Sequence, residues 1–368
     1  MNAKGVAVLV GLAVLAGLLA WFAAFRGGGG RAVVAEETGA GARLLPALVE
    51  RSGEIARIEI EQSGSSVAIA RAGEGWAIES VGGYPADGER VRQLVTTLSE
   101  LRTEEGKTAK PEYYARLAVQ WPDTAPQDAE AEPGAIRPTL VRLLDGAGGA
   151  IAEVVLGETT FDVGKTRQYA RALSDAQSWL VSARVDAPTG AMRWLNARFI
   201  ELPRESVRRV TITQATGESV AVSRDDPSGD FGVENIPEGM AAISEGLANR
   251  IGAALAFVNF TDVRRAGGEA GGEAGGEAAV AVFETFDGLT LRLETRPDPE
   301  GGWVVARAEG TGAEAYAPRF DGWAFRLPAT TVESLTRRPS DLLEEIAPAQ
   351  GPTPGDEVPE LLRAPEDG

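Results

Sequence analysis

IARIEIE, residues Ile55–Glu61, alternates apolar and polar side chains, and this alternation predicts a half-buried β-strand. Two further strands, Val67–Arg71 and Trp76–Glu79, follow it across short turns that contain glycine. Asp87 is then the predicted N-cap of a helix. The apolar side chains of that helix recur three or four residues apart, as on one helical face: Val91, Leu94, Val95, Leu98 and Leu101. The stretch therefore predicts three strands followed by an amphipathic helix.

The same pattern begins again further along the chain. The segment VRRVTIT (Val207–Thr213) resembles IARIEIE, and FGVE (Phe231–Glu234) occupies the position that corresponds to WAIE (Trp76–Glu79). The segment Leu247–Phe257 then repeats the apolar pattern of the helix. The offset of about 150 residues is too long for a solenoid repeat and is typical of a duplicated domain. The predicted fold class is α+β: an N-terminal transmembrane helix followed by a duplicated, mainly antiparallel sheet-plus-helix ectodomain.

The remaining elements complete two copies of this unit. We expect an anchor at residues 1–26, a flexible linker at 27–43, a first α+β repeat at 44–203, a second at 204–347 with a GGEA loop insert at 267–278, and a disordered acidic, Pro-rich tail at 348–368. In the first copy the pattern predicts strands Thr139–Leu144, Ile151–Leu156, Gln168–Leu173 and Trp179–Ser182, then a short helix, Met192–Leu202. In the second it predicts strands Ser219–Ser223, Ala279–Thr285, Thr290–Thr295, Trp303–Ala308 and Trp323–Leu327, then a closing helix, Thr331–Leu343.

An uncharged apolar run, Gly5–Phe25, precedes the folded part. A helix needs about 20 apolar residues to cross the hydrocarbon core, so the run has the length of a transmembrane anchor. A cleaved signal peptide and a buried soluble helix are the alternatives, although the run exceeds the usual apolar core of a signal peptide. The positive charges on the two sides of the run are nearly equal: Lys4 and the free amino terminus precede it, and Arg26 and Arg31 follow it. The positive-inside rule therefore decides little, and we favour an orientation with the amino terminus in the cytoplasm. The large domain would then face the periplasm or the outside of a bacterial inner membrane.

The composition excludes several kinds of chemistry. The chain has no His and no Cys, so it contains no Ser-His-Asp or Cys-His system and no zinc site built from those ligands. Its net charge of −18 repels phosphate backbones, so we expect no nucleic-acid partner. We predict no catalytic, cofactor-binding or metal-binding residues, no cofactor and no enzymatic activity.

Three sequence features could indicate a site but have a simpler explanation. The segment Gly157–Thr166 (GETTFDVGKT) resembles a phosphate-binding loop, but six residues instead of four separate its first glycine from Gly-Lys-Thr. A phosphate-binding loop also leads into a helix, whereas the following QYARAL predicts a strand, so a hairpin turn is the better interpretation. The acidic pairs Asp225-Asp226 and Glu104-Glu105 could serve acid–base chemistry or hold Ca²⁺, but in so acidic a chain a solvated surface explains them better. Trp121, in a Pro-rich loop, could contact a partner or cover the local core.

The order of five segments resembles a known family. IARIEI, EGWAIESVGGYPADGERVRQLVTTLSELR, KPEYYARL, TRQYARALSDAQSWLVS and RWLNARFIEL together resemble the domain-of-unknown-function family 4340, from Leu44 to about Ile346. The resemblance implies an N-terminal transmembrane helix, a duplicated extracytoplasmic α+β region, and a place beside ABC-type transporters of the gliding-motility auxiliary class. It implies no catalytic residues. The sequence departs from the family pattern at Ala118–Pro122 and at the GGEA insert.

The expected function is therefore non-enzymatic: a membrane-anchored accessory or scaffold subunit associated with an ABC-type transporter. Its expected partners are the lipid bilayer, through Gly5–Phe25, and the membrane subunits of the transporter. A periplasmic ligand-binding or sensory module, with a site between the two repeats, is the alternative. A carboxylate-dependent hydrolase is a further alternative, for which the sequence offers no particular pair of acids.

Overall fold

The structure, a computed structural model, describes residues 39–121, 136–162, 164–267 and 278–346. They belong to two compact units: a smaller unit, from the described parts of residues 1–53, 96–139 and 152–185, and a larger unit, from those of 54–95, 140–151 and 186–368. The predicted anchor, Gly5–Phe25, the tail at 348–368 and all but the ends of the GGEA insert lie outside the described residues. None of the helices within those ranges is both long enough and apolar enough to cross a membrane.

Short helices and many strands make up both units. The helices are α1 (Pro46–Arg51), α2 (Gly88–Glu100), α3 (Glu245–Gly252), α4 (Ala317–Phe320), α5 (Ala329–Leu335) and α6 (Pro339–Leu342). The strands are β1 (Ile55–Gln62), β2 (Ser65–Ala72), β3 (Gly75–Ile78), β4 (Tyr84–Pro85), β5 (Thr103–Gly106), β6 (Thr139–Asp145), β7 (Ala150–Asp162), β8 (Lys165–Ala172), β9 (Trp179–Val181), β10 (Arg198–Ile200), β11 (Val207–Thr213), β12 (Ser219–Ser223), β13 (Gly232–Val233), β14 (Met240–Ala242), β15 (Val258–Asn259), β16 (Asp262–Arg265), β17 (Ala279–Thr285), β18 (Leu289–Asp298), β19 (Gly301–Gly310), β20 (Trp323–Pro328) and β21 (Leu343–Glu345).

In the larger unit, strands hydrogen-bond in the order β4-β3-β2-β1-β6 and, in a second sheet, β13-β12-β11-β17-β18-β19-β20-β16. The β1–β2 hairpin is antiparallel and places Ile58 opposite Ile69. The β11–β12 hairpin is also antiparallel and places Val210 opposite Val222. These four side chains are buried, as the alternating pattern requires. The predicted α+β class with mainly antiparallel sheets is confirmed.

In the smaller unit, four strands hydrogen-bond in the order β7-β8-β9-β5. Their pairs β7–β8, β8–β9 and β5–β9 are antiparallel. Strand β7 begins in the larger unit and continues into the smaller one. The predicted hairpin at Gly157–Thr166 is confirmed, because β7 and β8 pair on either side of a turn, from Leu156 opposite Ala170 to Asp162 opposite Lys165.

Polar side chains begin the two longest helices. Asp87 Oδ1 accepts the N–H groups of Glu89 (3.0 Å) and Arg90 (3.4 Å) ahead of α2, so the predicted N-cap is confirmed. Ser244 Oγ accepts the N–H of Gly246 (3.2 Å) at the start of α3. The helix that was expected over Leu247–Phe257 therefore begins earlier, and it ends at Gly252.

Aromatic rings fill one contact inside the larger unit. Tyr84 of β4 meets Trp323 and Phe325 of β20 in T-shaped geometry, with ring centroids 4.9 Å and 5.9 Å apart. The guanidinium of Arg265 lies 3.8 Å above the Trp323 ring, and its Nε donates to the carbonyl oxygen of Gly82 (3.0 Å). Tyr84 is only 5% exposed, so residues of the first predicted repeat pack tightly on the second at this place.

The single helix predicted over Met192–Leu202 is wrong. The chain forms a 3₁₀ helix at Ala191–Trp194 and then strand β10. The side chain of Asn196 explains the change, because its Oδ1 accepts the N–H of Arg198 (3.1 Å) and turns the chain between the two elements. Trp194 of the 3₁₀ helix and Phe199 of β10 are both buried.

The closing helix predicted over Thr331–Leu343 is also wrong, because the chain forms α5, α6 and β21 there. Pro339 begins a new helix, and the residue before a proline avoids the helical region, so Arg338 is extended (φ −98°, ψ 161°). At the other end, the predicted linker 27–43 is not free over its described residues. The N–H of Gly41 donates to the carbonyl oxygen of Thr103 (2.6 Å) at the start of β5.

Candidate functional site

The most distinctive surface feature of the smaller unit is the segment between Lys107 and Leu117, which follows β5. It consists of an extended stretch and a 3₁₀ helix, Pro111–Leu117, that begins with proline at its first position. Ser178, which is fully buried, fixes the extended stretch: its Oγ donates to the carbonyl oxygen of Thr108 (2.7 Å) and accepts the N–H of the same residue (3.1 Å). The segment therefore has a defined backbone before the helix begins.

Buried side chains hold the 3₁₀ helix on the strands. The hydroxyl of Tyr114 donates to the carbonyl oxygen of Ala176 (2.5 Å). Arg171 of β8 lies 4.5 Å from the Tyr114 ring, and its Nε donates to the carbonyl oxygen of Val119 (3.1 Å). Ala118, in the left-handed region at φ 52°, ends the helix. These contacts connect the 3₁₀ helix and Val119 to Arg171 and Ala176, which lie more than 50 residues further along the chain.

Gly157 allows the end of this helix to approach β7 closely. A Cβ at Gly157 would overlap the carbonyl oxygen of Leu117 and would lie 2.8 Å from Val119 Cγ1. The pairing of β7 with β8 shifts register just after Gly157, between Leu156 and Thr159. The glycine of the apparent phosphate loop therefore serves close backbone packing.

A cavity of about 580 Å³ opens on this segment, which we call the basic pocket; its lining residues are Lys107, Thr108, Ala109, Lys110, Tyr113, Arg116 and Leu117. Lys107 Nζ pairs with Glu105 (2.7 Å). Among the described residues, neither Lys110 nor Arg116 forms an ion pair, and Arg116 lies 4.9 Å over the ring of Tyr113. Two positive charges are therefore available in a pocket of a strongly acidic protein.

The acidic pairs singled out in the sequence lie in local, solvated contacts. Glu104 pairs with Arg167 (2.8 Å), and Glu105 pairs with Lys107. Asp226 Oδ1 accepts the hydroxyl (2.5 Å) and the N–H (2.7 Å) of Ser228, and these hydrogen bonds lower the pKa of its carboxyl below the usual value. Asp225, which adjoins Asp226, is exposed. The four acids thus lie in a turn and in ion pairs.

The structure does not assemble the other predicted candidates into a site. Trp121 is half-buried at the end of a described range. Across the described ranges, no group of three or more Asp or Glu residues has the arrangement needed to hold a metal ion.

Sequence reasoning missed the basic pocket, although the sequence contains a signal for it. The chain has four lysines, Lys4, Lys107, Lys110 and Lys165, and two of them line this pocket. KTAKPEYYARL is therefore a locally basic stretch in an acidic chain. Its charge could be read from the sequence, whereas its packing against Gly157, Arg171 and Ser178 could not.

Fold and site together define the class: a mainly antiparallel α+β protein with a basic pocket on one connection between strands. The family model described as a domain of unknown function, DUF4340, matches residues 76–269, more than half of the chain. The chain belongs to this family. The match contains the whole of the basic pocket. No curated protein and no solved structure matches the chain.

Proposed function

We propose that this protein is a single-pass, membrane-anchored, extracytoplasmic accessory or scaffold subunit of an ABC-type transporter, without catalytic activity of its own. The observation that carries the proposal is the apolar run Gly5–Phe25 in front of a large α+β body that belongs to the DUF4340 family. A helix of that length and composition would hold the body at the bilayer. The link to a transporter comes from the resemblance, and the physical argument supports the anchor.

We also propose that the body arose by duplication, and the strand order supports this. The run β3-β2-β1-β6 in the larger unit has its counterpart in β13-β12-β11-β17. The run β7-β8-β9-β5 in the smaller unit has its counterpart in β18-β19-β20-β16. In each set a strand that comes after the helix lies at the end of the order: β5 after α2, and β16 after α3 and β15. The two sets therefore share an unusual connection as well as simple hairpins.

A pair of arginines supports the duplication at the level of side chains. Arg71, at the end of β2, donates from Nε to the carbonyl oxygen of Ile55 (3.3 Å) and lies 4.3 Å over Trp76. Arg224, just after β12, donates from Nε to the carbonyl oxygen of Val207 (2.9 Å) and lies 4.6 Å over Phe231.

An ion pair is repeated as well. Arg57 of β1 pairs with Glu79, just after β3, and Arg209 of β11 pairs with Glu234 (2.9 Å), just after β13.

A non-catalytic role fits the chemistry of the basic pocket. Its polar side chains are two ammonium groups, a guanidinium and two hydroxyls, which suit the binding of an anion, and its lining includes no histidine or carboxylate. The alternative of a ligand-binding module between the repeats has less room at Tyr84, where a ligand would have to displace aromatic rings. We therefore place the ligand-binding alternative at the basic pocket.

Affinity purification of the full chain tests the transporter association. The tagged protein is produced at its natural level, extracted from membranes in mild detergent, and analysed by quantitative mass spectrometry. We expect ATP-binding and membrane subunits of a transporter to co-purify. The matched control replaces Gly5–Phe25 with a cleavable signal peptide, so that the body reaches the same compartment without an anchor. Recovery of the anchored protein as a lone monomer, equal to the control, would refute the association.

The absence of cysteine makes the orientation directly measurable. Glu74 is exposed in the turn between β2 and β3, so Glu74→Cys introduces one accessible thiol. We expect a membrane-impermeant maleimide to label it in intact cells or spheroplasts, while a thiol introduced at Asn2 reacts only after lysis. The reverse labelling pattern would refute the proposed orientation.

A further inference from the structure

We infer that the basic pocket is a binding site for a small anionic molecule that carries a carboxylate or a phosphate group. The inference concerns the smaller unit alone and holds whether or not a transporter is the partner. Its ligand class follows from the charge, the donors, the rigidity and the size of the pocket.

The charge of the pocket favours an anion. Glu105 neutralises Lys107, whereas Lys110 and Arg116 have no carboxylate partner among the residues that the structure describes. Both side chains are exposed, so their charges carry no large desolvation penalty when no ligand is bound. An arginine presents a fork of N–H donors that matches carboxylate and phosphate oxygens. Lys110 adds a second positive charge that can follow the ligand.

Thr108 and Tyr113 add a hydroxyl donor and an apolar face. Thr108 Oγ1 accepts the N–H of Lys110 (3.1 Å), and within the described structure its own proton makes no hydrogen bond, so it can be donated to a ligand oxygen. Tyr113 is 39% exposed although it lies in a pocket. A ligand with a small ring or a short carbon chain beside its acid group would use both residues.

Contacts to other elements hold the backbone around the pocket in place before any ligand binds. Ser178 fixes the backbone of Thr108, and Tyr114 and Gly157 fix the helix that carries Arg116. A prearranged site loses less conformational entropy on binding than a flexible loop does. The anchoring contacts therefore have a consequence for affinity as well as for stability.

The size of the pocket favours a small molecule over a macromolecule. Its volume of about 580 Å³ lies within the range of roughly 300–1,000 Å³ that is usual for small-ligand pockets. A sugar acid or a phosphate ester fits that range. The corresponding connection of the second sheet, between β16 and β17, has the sequence AGGEAGGEAGGEA, which contains no lysine, arginine or aromatic residue. The proposed site therefore belongs to one repeat only.

Calorimetric titration of the full chain tests the inference. The protein is reconstituted in nanodiscs of zwitterionic lipid and titrated with glucuronate and, separately, with inorganic phosphate. We expect at least one of the two probes to bind and the double variant Lys110→Gln/Arg116→Gln to bind it about tenfold or more weakly. The matched control is Lys165→Gln/Arg208→Gln, which removes the same charge from two exposed residues outside the pocket. Binding should also weaken as salt rises.

The possible outcomes separate the inference from simple electrostatics. Loss of binding in the pocket variant with retention in the control supports the site. Equal loss in both double variants would show a general effect of net charge and would overturn it. Failure of both probes to bind the parent protein would also overturn it. Binding to vesicles that contain phosphatidylglycerol, without binding to either soluble probe, would assign the pocket to a lipid headgroup and would reject the small soluble ligand.

Discussion

The strands that include β1–β4 and the strands that include β11–β13 follow similar orders, but the chain segments before and after their helices differ. Ahead of α2, β4 pairs with β3, and it carries Tyr84. Ahead of α3, β14 pairs instead with β21 near the end of the described chain. After α2 and β5 the chain continues into the residues of the basic pocket, whereas after α3 and β16 its sequence continues into the GGEA repeat. The strand orders agree while the connections differ, so the connections are where we expect a function that is particular to one of the two proposed repeats.

Tyr84→Ala should produce the largest loss of stability, because it breaks the aromatic contact between β4 and β20. Removing a buried ring that packs on Trp323 and Phe325 should lower the free energy of unfolding by about 3–5 kcal/mol. Urea denaturation of the full chain in detergent, followed by tryptophan fluorescence, measures the loss.

Tyr84→Phe is the matched control for the ring. Burial raises the pKa of the Tyr84 hydroxyl, which therefore stays neutral over the ordinary pH range. No hydrogen bond from this hydroxyl is formed within the described residues, so its removal should change stability by less than about 1 kcal/mol. A large loss in the phenylalanine variant would show that the hydroxyl, rather than the ring, maintains the contact.

Arg224→Met and Arg71→Met compare corresponding positions of the two proposed repeats. Arg224 is buried, and besides Val207 it donates to the carbonyl oxygens of Pro227 (2.6 Å) and Gly229 (3.1 Å). Its removal takes a donor from the carbonyl oxygens of Val207 and Pro227, whereas Arg204 still donates to that of Gly229 (2.9 Å), and should cost about 2–3 kcal/mol. Arg71 is exposed and makes one long hydrogen bond, so its replacement should cost less than about 1 kcal/mol. Equal losses in denaturation curves would contradict this asymmetry.

The parts of the fold that the sequence predicts are those with a regular period. Strands β11 and β17 have the predicted bounds, because seven alternating residues carry an unambiguous signal. Strands β10, β14 and β21 are three residues long and form through partners far along the chain, so no local pattern reports them. Proline and asparagine chemistry, at Arg338-Pro339 and at Asn196, explains where the predicted helices end.

The basic pocket shows the same limit. Its charges lie within one short stretch of sequence, but its shape depends on Gly157 and Ser178, which belong to other elements. The sequence presents Gly157 as part of an apparent phosphate loop, whereas the structure gives it a role in close packing. A glycine that is required for close packing and a glycine that binds phosphate have the same local sequence, and only the tertiary neighbours distinguish them.

Gly157→Ala tests whether the docking of the 3₁₀ helix creates the pocket. The new Cβ would meet backbone and side-chain atoms of Leu117 and Val119, so the helix must move, at a cost of about 2 kcal/mol. Hydrogen exchange should increase at residues 111–119 more than elsewhere. Gly232→Ala in β13 is the control, because its Cβ would meet no atom within 4 Å. Unchanged hydrogen exchange in Gly157→Ala would show that the 3₁₀ helix accommodates the added Cβ without loosening, and would contradict the prediction.

Glu234→Gln should have the smallest effect, and pH identifies its origin. Hydrogen bonds from Ser223 and then Arg209 hold the pKa of Glu234 below its usual value, against the effect of burial. Since the folded pKa is lower than the unfolded one, the ionised carboxylate stabilises the fold above the unfolded pKa, and that stability is lost as pH falls through the folded pKa. We expect the variant to lose about 1 kcal/mol at neutral pH.

The loss in Glu234→Gln should fade on acidification, so denaturation curves of variant and parent should converge as the pH falls through the lowered pKa of Glu234. The counterpart in the first proposed repeat is Glu79→Gln. Glu79 also pairs with an arginine, Arg57, but its side chain is 44% exposed whereas that of Glu234 is 25% exposed. Solvent screens the more exposed pair, so Glu79→Gln should cost less than about 0.5 kcal/mol. If the two glutamines cost the same at neutral pH, burial would not be what distinguishes the repeated ion pair in its two settings, and Ser223 would have to be tested by Ser223→Ala.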